Sequence, residues 1–125
     1  MLQHSVTIYV PSIQRDGSPV SDRELLLQDT ITALLGLCGG ATVSEGVGYW
    51  EGDDGLAVEP ITLVTSYCED LEAIMGDVLA VAESLASRAN QEAVSLALDN
   101  SLQFVSPPKP SWWLDYVPGK AEVEA

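Results

Sequence analysis

The sequence predicts an α+β fold, a ferredoxin-like sandwich in which two helices cover one face of an antiparallel sheet. Three observations lead to this fold class. Short segments rich in β-branched and aromatic residues alternate between apolar and polar positions, which is typical of strands. Two longer segments repeat apolar residues at the spacing of a helix. The segments follow one another as βαββαβ with a trailing strand, which is the order of a split βαβ sandwich.

The first strand and the first helix are marked by their boundaries. Residues 5–10 read SVTIYV and are followed by a turn-rich loop, QRDGSP. Ser21 and Glu24 have the spacing of a capping box, and apolar residues then recur at helical spacing. Because Gly39-Gly40 ends this pattern, the sequence predicts a helix over residues 21–38.

The rest of the chain predicts a hairpin, a second helix and two short strands. The segment EGDDG has the composition of a turn between two strands. Pro60 cannot donate a ladder hydrogen bond, so its part of the third strand must lie at an edge or a bulge. Ser66 and Glu69 form a second capping-box pattern ahead of the second helix. The predicted strands cover 41–50, 57–67, 94–98 and 102–105, and the second helix covers 67–89.

Length and composition indicate one folded domain. The chain has 125 residues, of which 46% are hydrophobic. We assign residues 1–105 to a single ferredoxin-like domain and residues 106–125 to a Pro/Trp-rich acidic tail. No apolar run reaches the ~18 residues of a membrane helix, and the first residues lack the pattern of a signal peptide. Because two cysteines do not make a disulfide scaffold, the cytoplasm is the predicted location.

The strongest signal in the composition is an excess of acids. Nineteen Asp and Glu residues against five Lys and Arg give a net charge of −14, which argues against direct binding of nucleic acid. Solubility and the helix dipole account for the acids at the start of the second helix. An acidic face for a basic protein partner would also account for those of the hairpin. The candidate partner-binding acids are Glu45, Glu51, Asp53, Asp54, Glu72, Asp77 and Glu83.

The tail carries a cluster of aromatic residues. Trp112, Trp113 and Tyr116 follow a Pro-rich spacer, and a solvated tail has no reason to carry adjacent tryptophans. We therefore expect the tail to dock. It packs across its own sheet or another copy of the chain, or it anchors a partner through these three residues.

No catalytic residue, metal site or cofactor is predicted from the sequence. His4 is the single histidine, and a Ser–His–Asp arrangement requires a buried and oriented imidazole. The spacing of Cys38, Cys68 and His4 does not match a zinc site, and both cysteines are interpreted as core residues. The segment GVGYWEGDDG lacks the glycine spacing of a phosphate-binding loop.

Several short motifs resemble a known family. The run Gly40-Ala41-Thr42-Val43, then Gly48-Tyr49-Trp50, Asp54-Gly55, Glu59 and the run Asn90-Gln91-Glu92-Ala93-Val94 are similar to the pattern of the bacterial domain-of-unknown-function family numbered 3574. The resemblance covers about residues 5–105 and supports the βαββαβ order. The family carries no settled activity, so the resemblance implies only candidate site residues, which are Trp50, Glu59 and Gln91. The alternative is that these residues stabilise the hairpin and the helix-to-strand corner.

Two classes of function stay open. In the favoured hypothesis the protein is not an enzyme and binds a basic partner through its acidic face. Such a protein would be an inhibitor or nucleic-acid mimic of the kind that phages and plasmids use against host defences. In the alternative, the protein is a homo-oligomeric small-ligand binder or a minor enzyme, with a pocket at the sheet or between subunits. Fold class alone does not separate the two hypotheses.

Overall fold

The computed structural model describes residues 1–108, which form five strands and two helices. In chain order they alternate as the sequence predicts. The elements are β1 (His4–Val10), α1 (Arg23–Cys38), β2 (Thr42–Gly52), β3 (Gly55–Cys68), α2 (Leu71–Arg88), β4 (Val94–Leu98) and β5 (Ser101–Val105).

The strands form one antiparallel sheet in the order β2-β3-β1-β4-β5. The first strand lies at the centre, between β3 and β4. Strand β2, which pairs with β3, and strand β5, which pairs with β4, lie at the two edges. This arrangement confirms the predicted ferredoxin-like α+β fold with an added C-terminal strand. The prediction of a tail over 106–125 falls mostly outside the described residues and stays a prediction, as does the domain boundary at residue 105.

Both helices pack on the same face of the sheet, where the core lies. Alternate residues of β1, namely Val6, Ile8 and Val10, are fully buried against them. Helix α1 lies over β1 and β3, while α2 lies over β1, β4 and β5. Within residues 1–108, no helix is long and apolar enough to cross a membrane.

Helix α1 does not begin with the predicted capping box. Its N-cap is Asp22, which has a left-handed backbone (φ 54°) and makes no side-chain cap hydrogen bond. The side chain of Arg23 instead ties the helix start to the sheet, since its Nε donates to the Pro11 carbonyl and its Nη2 to Thr62 Oγ1. These tertiary contacts replace the local cap that Ser21 and Glu24 would have formed.

Helix α2 also starts later than predicted. Asp70 is its N-cap, and the Asp70 side chain accepts a hydrogen bond from the Ala73 amide. Ser66 lies inside β3, opposite Val6 of β1, and its buried hydroxyl has no hydrogen-bond partner among the described residues. Pairing with the central strand extends β3 to Cys68, so the ladder takes priority over the capping-box pattern.

The β2–β3 hairpin extends beyond the rest of the sheet. Strand β1 pairs with β3 only from Thr62 to Cys68, so residues 46–61 pair only with each other; we call this segment the arm. Pro60 lies in the arm, opposite Val47, which confirms its predicted place on an edge.

Candidate functional site

The face of the sheet that the helices leave uncovered, here the open face, carries a large cleft. Strand alternation places Tyr9, Trp50, Glu59 and Phe104 on this face. The cleft has a volume of about 1100 Å³ and runs between the arm, the β1–α1 loop and the start of β4. We call it the open-face cleft, and it contains all three residues implicated by the family resemblance: Trp50, Glu59 and Gln91.

Glu59 is the buried acid of the open-face cleft. Its side chain lies among apolar and aromatic neighbours, and the residue is only 7% exposed. One carboxylate oxygen, Oε2, accepts hydrogen bonds from the Ser12 amide at 3.2 Å, the Ser12 hydroxyl at 3.2 Å and the Ile13 amide at 3.0 Å. No described residue donates to the second oxygen, Oε1. Buried carboxylates require such donors because an unpaired buried charge is costly.

Gln91 holds the same loop from its other side. Its side-chain amide donates to the Ile13 carbonyl at 2.6 Å and to the Ala89 carbonyl at 3.1 Å. The Ile13 backbone N–H therefore donates to Glu59, and the Ile13 backbone carbonyl accepts from Gln91. Two residues that are far apart in sequence thus position one loop at the rim of the cleft.

Trp50 covers a glycine on the arm. A side-chain carbon at Gly48 would collide with the six-membered ring of Trp50, so only glycine fits beneath the indole. The indole remains 47% exposed. An exposed aromatic ring offers a stacking surface to a planar ligand.

The charges around the cleft are unevenly distributed. Its lining includes two acids, Glu59 and the exposed Glu92, and one cationic side chain, Arg15, among residues 1–108. Arg15 lies on the β1–α1 loop and is exposed. The remaining wall is largely apolar or aromatic, with Tyr9, Ile61 and Phe104 among its residues.

The structure does not bring the predicted acidic residues onto one surface. Glu45, Glu51, Asp53 and Asp54 lie on the β2–β3 hairpin at one edge of the sheet. Helix α2, with the other three acids, lies over β1, β4 and β5, and α1 lies between it and the hairpin. The residues on α2 are Glu72, Asp77 and Glu83. Trp112, Trp113 and Tyr116 fall outside the described residues.

The remaining reactive side chains offer no second centre. No group of three or more His, Cys, Asp or Glu side chains within residues 1–108 could hold a metal ion. Both cysteines are free thiols. Burial raises the pKa of the Cys38 thiol. Burial also raises the pKa of the Cys68 thiol, and the neighbouring Cys38 raises it further. Protonated thiols are poor nucleophiles.

Comparison with solved structures finds a similar fold in two structures of phage proteins. The chain is similar to a phage S-adenosylmethionine (SAM) lyase in complex with S-methyl-5′-thioadenosine, with a TM-score of 0.64 and 19% identity, covering 82% of this chain and 88% of that chain. It is also similar to a phage SAM lyase in its apo state, with a TM-score of 0.66 and 18% identity, covering 88% and 94%. At these identities the likeness shows the fold. No family model matches the chain, and no curated protein matches it.

These findings correct the functional hypothesis drawn from the sequence. The hypothesis of a non-catalytic inhibitor or nucleic-acid mimic is wrong, and so is the prediction that the protein is not an enzyme. The finding that overturns both is the likeness in fold to two phage SAM lyases, which are enzymes. Net charge misled the interpretation because charge bears on association and not on fold.

The sequence analysis missed most residues that shape the open-face cleft. The sequence pattern predicts only strands at Tyr9 and Phe104 and only a turn-rich loop at Arg15, and it assigns Ile13 to no element. The alternation of β1 could have placed Tyr9 opposite the core. The contacts of Ile13 join residues more than forty positions apart, and no local pattern signals them.

Proposed function

We propose that this protein binds SAM in the open-face cleft and acts on it as an enzyme. The observation that carries the proposal is Glu59, a buried carboxylate in an apolar cleft on a fold shared with phage SAM lyases. A cleft with apolar walls and a few convergent polar groups is typical of small-molecule sites.

The residues of the cleft suit the parts of SAM. The ligand combines a planar adenine, a ribose with two hydroxyls, a sulfonium cation and an amino-acid end. Trp50 offers its exposed indole to the adenine. Glu59 Oε1 can accept a hydrogen bond from a ribose hydroxyl or from the ammonium group, while Oε2 keeps the loop in place. Aromatic rings such as Tyr9 favour a nearby cation.

A lyase reaction fits an apolar cleft for an electrostatic reason. Breaking the bond between the sulfonium sulfur and the aminobutyrate γ-carbon leaves the electron pair on sulfur, which becomes the neutral thioether of S-methyl-5′-thioadenosine. The substrate's own carboxylate can close on that carbon to form a lactone, so atoms and charges balance without water. Two opposite charges disappear in this step, and apolar walls, which solvate these charges less well than water does, therefore favour it.

The purified protein can be tested for this activity directly. We expect incubation with SAM to release S-methyl-5′-thioadenosine, measured by liquid chromatography and mass spectrometry, and Glu59→Gln to lower turnover by at least about a hundredfold. The matched control is Glu92→Gln, which neutralises the exposed acid of the same cleft and should retain most activity. Thermal unfolding of each variant separates lost function from lost fold.

The proposal fails if the wild-type protein neither binds nor converts SAM. If calorimetry shows binding of S-methyl-5′-thioadenosine but SAM is not converted, the protein is a small-ligand binder and not an enzyme. Full activity in Glu59→Gln would show that the Glu59 carboxylate is not needed for the reaction.

The proposal includes a homo-oligomer built through the arm. A two-stranded ribbon is only marginally stable in water on its own, and this one exposes Val47, Tyr49, Leu56 and Val58 by about half or more. A partner that is present whenever the chain folds is another copy of the same chain. Sedimentation of the wild type against Val58→Asp tests this assembly, and a wild-type monomer would contradict it.

The cellular location and the family are also part of the proposal. The cytoplasm remains the predicted location, and the two free thiols, Cys38 and Cys68, fit a reducing compartment. Membership of the family numbered 3574 likewise stays a prediction. The support for it is that all three residues implicated by the resemblance line one cleft.

A further inference from the structure

Arg15 differs from the other two arginines of the described chain in having no side-chain partner there. The guanidinium of Arg23 donates to Pro11 and Thr62, and that of Arg88 pairs with Asp29 at 2.8 Å. No carboxylate within residues 1–108 lies within ion-pair distance of Arg15, and none of the hydrogen bonds there involves its side chain. Arg15 is exposed and belongs to the lining of the open-face cleft.

The backbone that carries Arg15 is nevertheless well held. The Arg15 amide donates to the Asn90 carbonyl at 3.1 Å, and the side chain of Asn90 donates to Gln14 Oε1 at 3.0 Å. A bridge between Ile13 and Pro19 closes the loop around it. The loop therefore presents the guanidinium from a defined backbone position, so that only the Arg15 side chain has to be ordered when a ligand binds.

Arg15 is connected to the buried acid through the same loop. It lies two residues after Ile13, whose amide donates to Glu59, so the two Cα atoms of Arg15 and Ile13 are at most about 7 Å apart. The cleft is thus lined by a buried carboxylate and by an exposed arginine. A ligand that carries a cation and a carboxylate a few bonds apart matches this pair.

We propose that Arg15 binds the α-carboxylate of the ligand and selects ligands that carry an amino-acid end. This assignment rests on the proposed function of the same cleft. The planar guanidinium donates two parallel hydrogen bonds to a carboxylate, a geometry that lysine does not offer. A local cation is needed here because a chain with a net charge of −14 repels an approaching carboxylate.

Two ligands that differ only in the amino-acid end give a direct test. S-adenosylhomocysteine carries the carboxylate and the ammonium group, S-methyl-5′-thioadenosine carries neither, and both are neutral at sulfur. We expect Arg15→Gln to weaken binding of S-adenosylhomocysteine by about tenfold or more, measured by calorimetry, and to leave S-methyl-5′-thioadenosine unchanged. Arg15→Lys should recover only part of the loss. The matched control is Arg88→Gln, which should change neither affinity.

Each other outcome overturns a distinct statement. If the wild type binds both ligands and Arg15→Gln keeps its affinity for S-adenosylhomocysteine, the assignment of Arg15 is wrong. If Arg15→Gln loses both ligands equally, Arg15 supports the cleft and does not select the carboxylate. If the wild type binds neither ligand, the proposed function fails and the assignment fails with it.

Discussion

At the scale of single residues, positions that break local rules support contacts between distant parts of the chain. Asp99 has a left-handed backbone (φ 54°) in the turn between β4 and β5. Its carboxylate accepts from the Ser5 amide at 3.0 Å and contacts His4 Nδ1 at 2.9 Å. The hydrogen bond with His4 and that with the Ser5 amide hold the pKa of Asp99 below its usual value. The turn thereby secures the start of the central strand.

The lowered pKa of Asp99 has a defined pH signature. A carboxylate whose pKa is lower in the folded state stabilises that state above the unfolded pKa of 3.8. This stability is lost as the pH falls through the folded pKa. Asp99→Asn keeps the left-handed backbone and an acceptor for Ser5. We expect its melting temperature to lie slightly below that of the wild type at pH 5–6, with the difference vanishing by about pH 2.

Thermal melts between pH 2 and 6 measure this difference. Asp77→Asn is the control, since that acid is exposed on α2 and makes no side-chain hydrogen bond within the described residues. If the melting temperatures of Asp99→Asn and the wild type differ as much at pH 2 as at pH 6, the charge of Asp99 does not cause the difference. The expected effect is small because the pair is solvent-exposed.

At the scale of elements, the β1–α1 loop is held by side chains from two other parts of the sheet. Glu59 comes from the arm and Gln91 from the corner between α2 and β4, and both bind Ile13. A loop without regular structure needs such partners, since its backbone groups have no ladder to join. The rim of the open-face cleft thus depends on the packing of three separate elements.

Removing Gln91 should loosen this rim without unfolding the domain. Gln91→Ala deletes two hydrogen bonds, each worth about 0.5–1.5 kcal/mol, so we expect a loss of about 1–3 kcal/mol in the free energy of unfolding. Hydrogen exchange of amides in residues 12–18 should accelerate, while that of β1 should not. Gln28→Ala is the control, since Gln28 is exposed on α1. Unchanged exchange in the loop would contradict this role.

At the scale of the whole molecule, one core joins both helices to the sheet. Leu34 of α1 and Val78 of α2 are fully buried, Leu85 of α2 is 3% exposed, and all three belong to one cluster with β1. The sequence predicts this meeting of the two helical stripes, and the structure confirms it. Such a cluster makes the domain a single cooperative unit.

A charge in this core should abolish the fold. Leu34→Asp buries an unpaired carboxylate, which costs several kcal/mol beyond the 2–5 kcal/mol of lost packing and approaches the ~5–15 kcal/mol that stabilises a typical domain. We expect no cooperative thermal transition by circular dichroism. The neighbouring Leu35 is 46% exposed, so Leu35→Asp should retain the transition. A cooperative melt in Leu34→Asp would contradict the observed topology.

The sequence by itself determined the order of elements, the two helical stripes and the central hairpin, because these follow from local periodicity and turn residues. It also singled out Trp50, Glu59 and Gln91, through a resemblance and not through their chemistry. Only the tertiary structure decided that these three residues line one cleft with Tyr9 and Arg15. It also decided that the acids of the hairpin and of α2 lie on separate parts of the molecule. The physical reason is that strand pairing joins residues far apart in sequence, and it overrides local signals such as the two capping boxes.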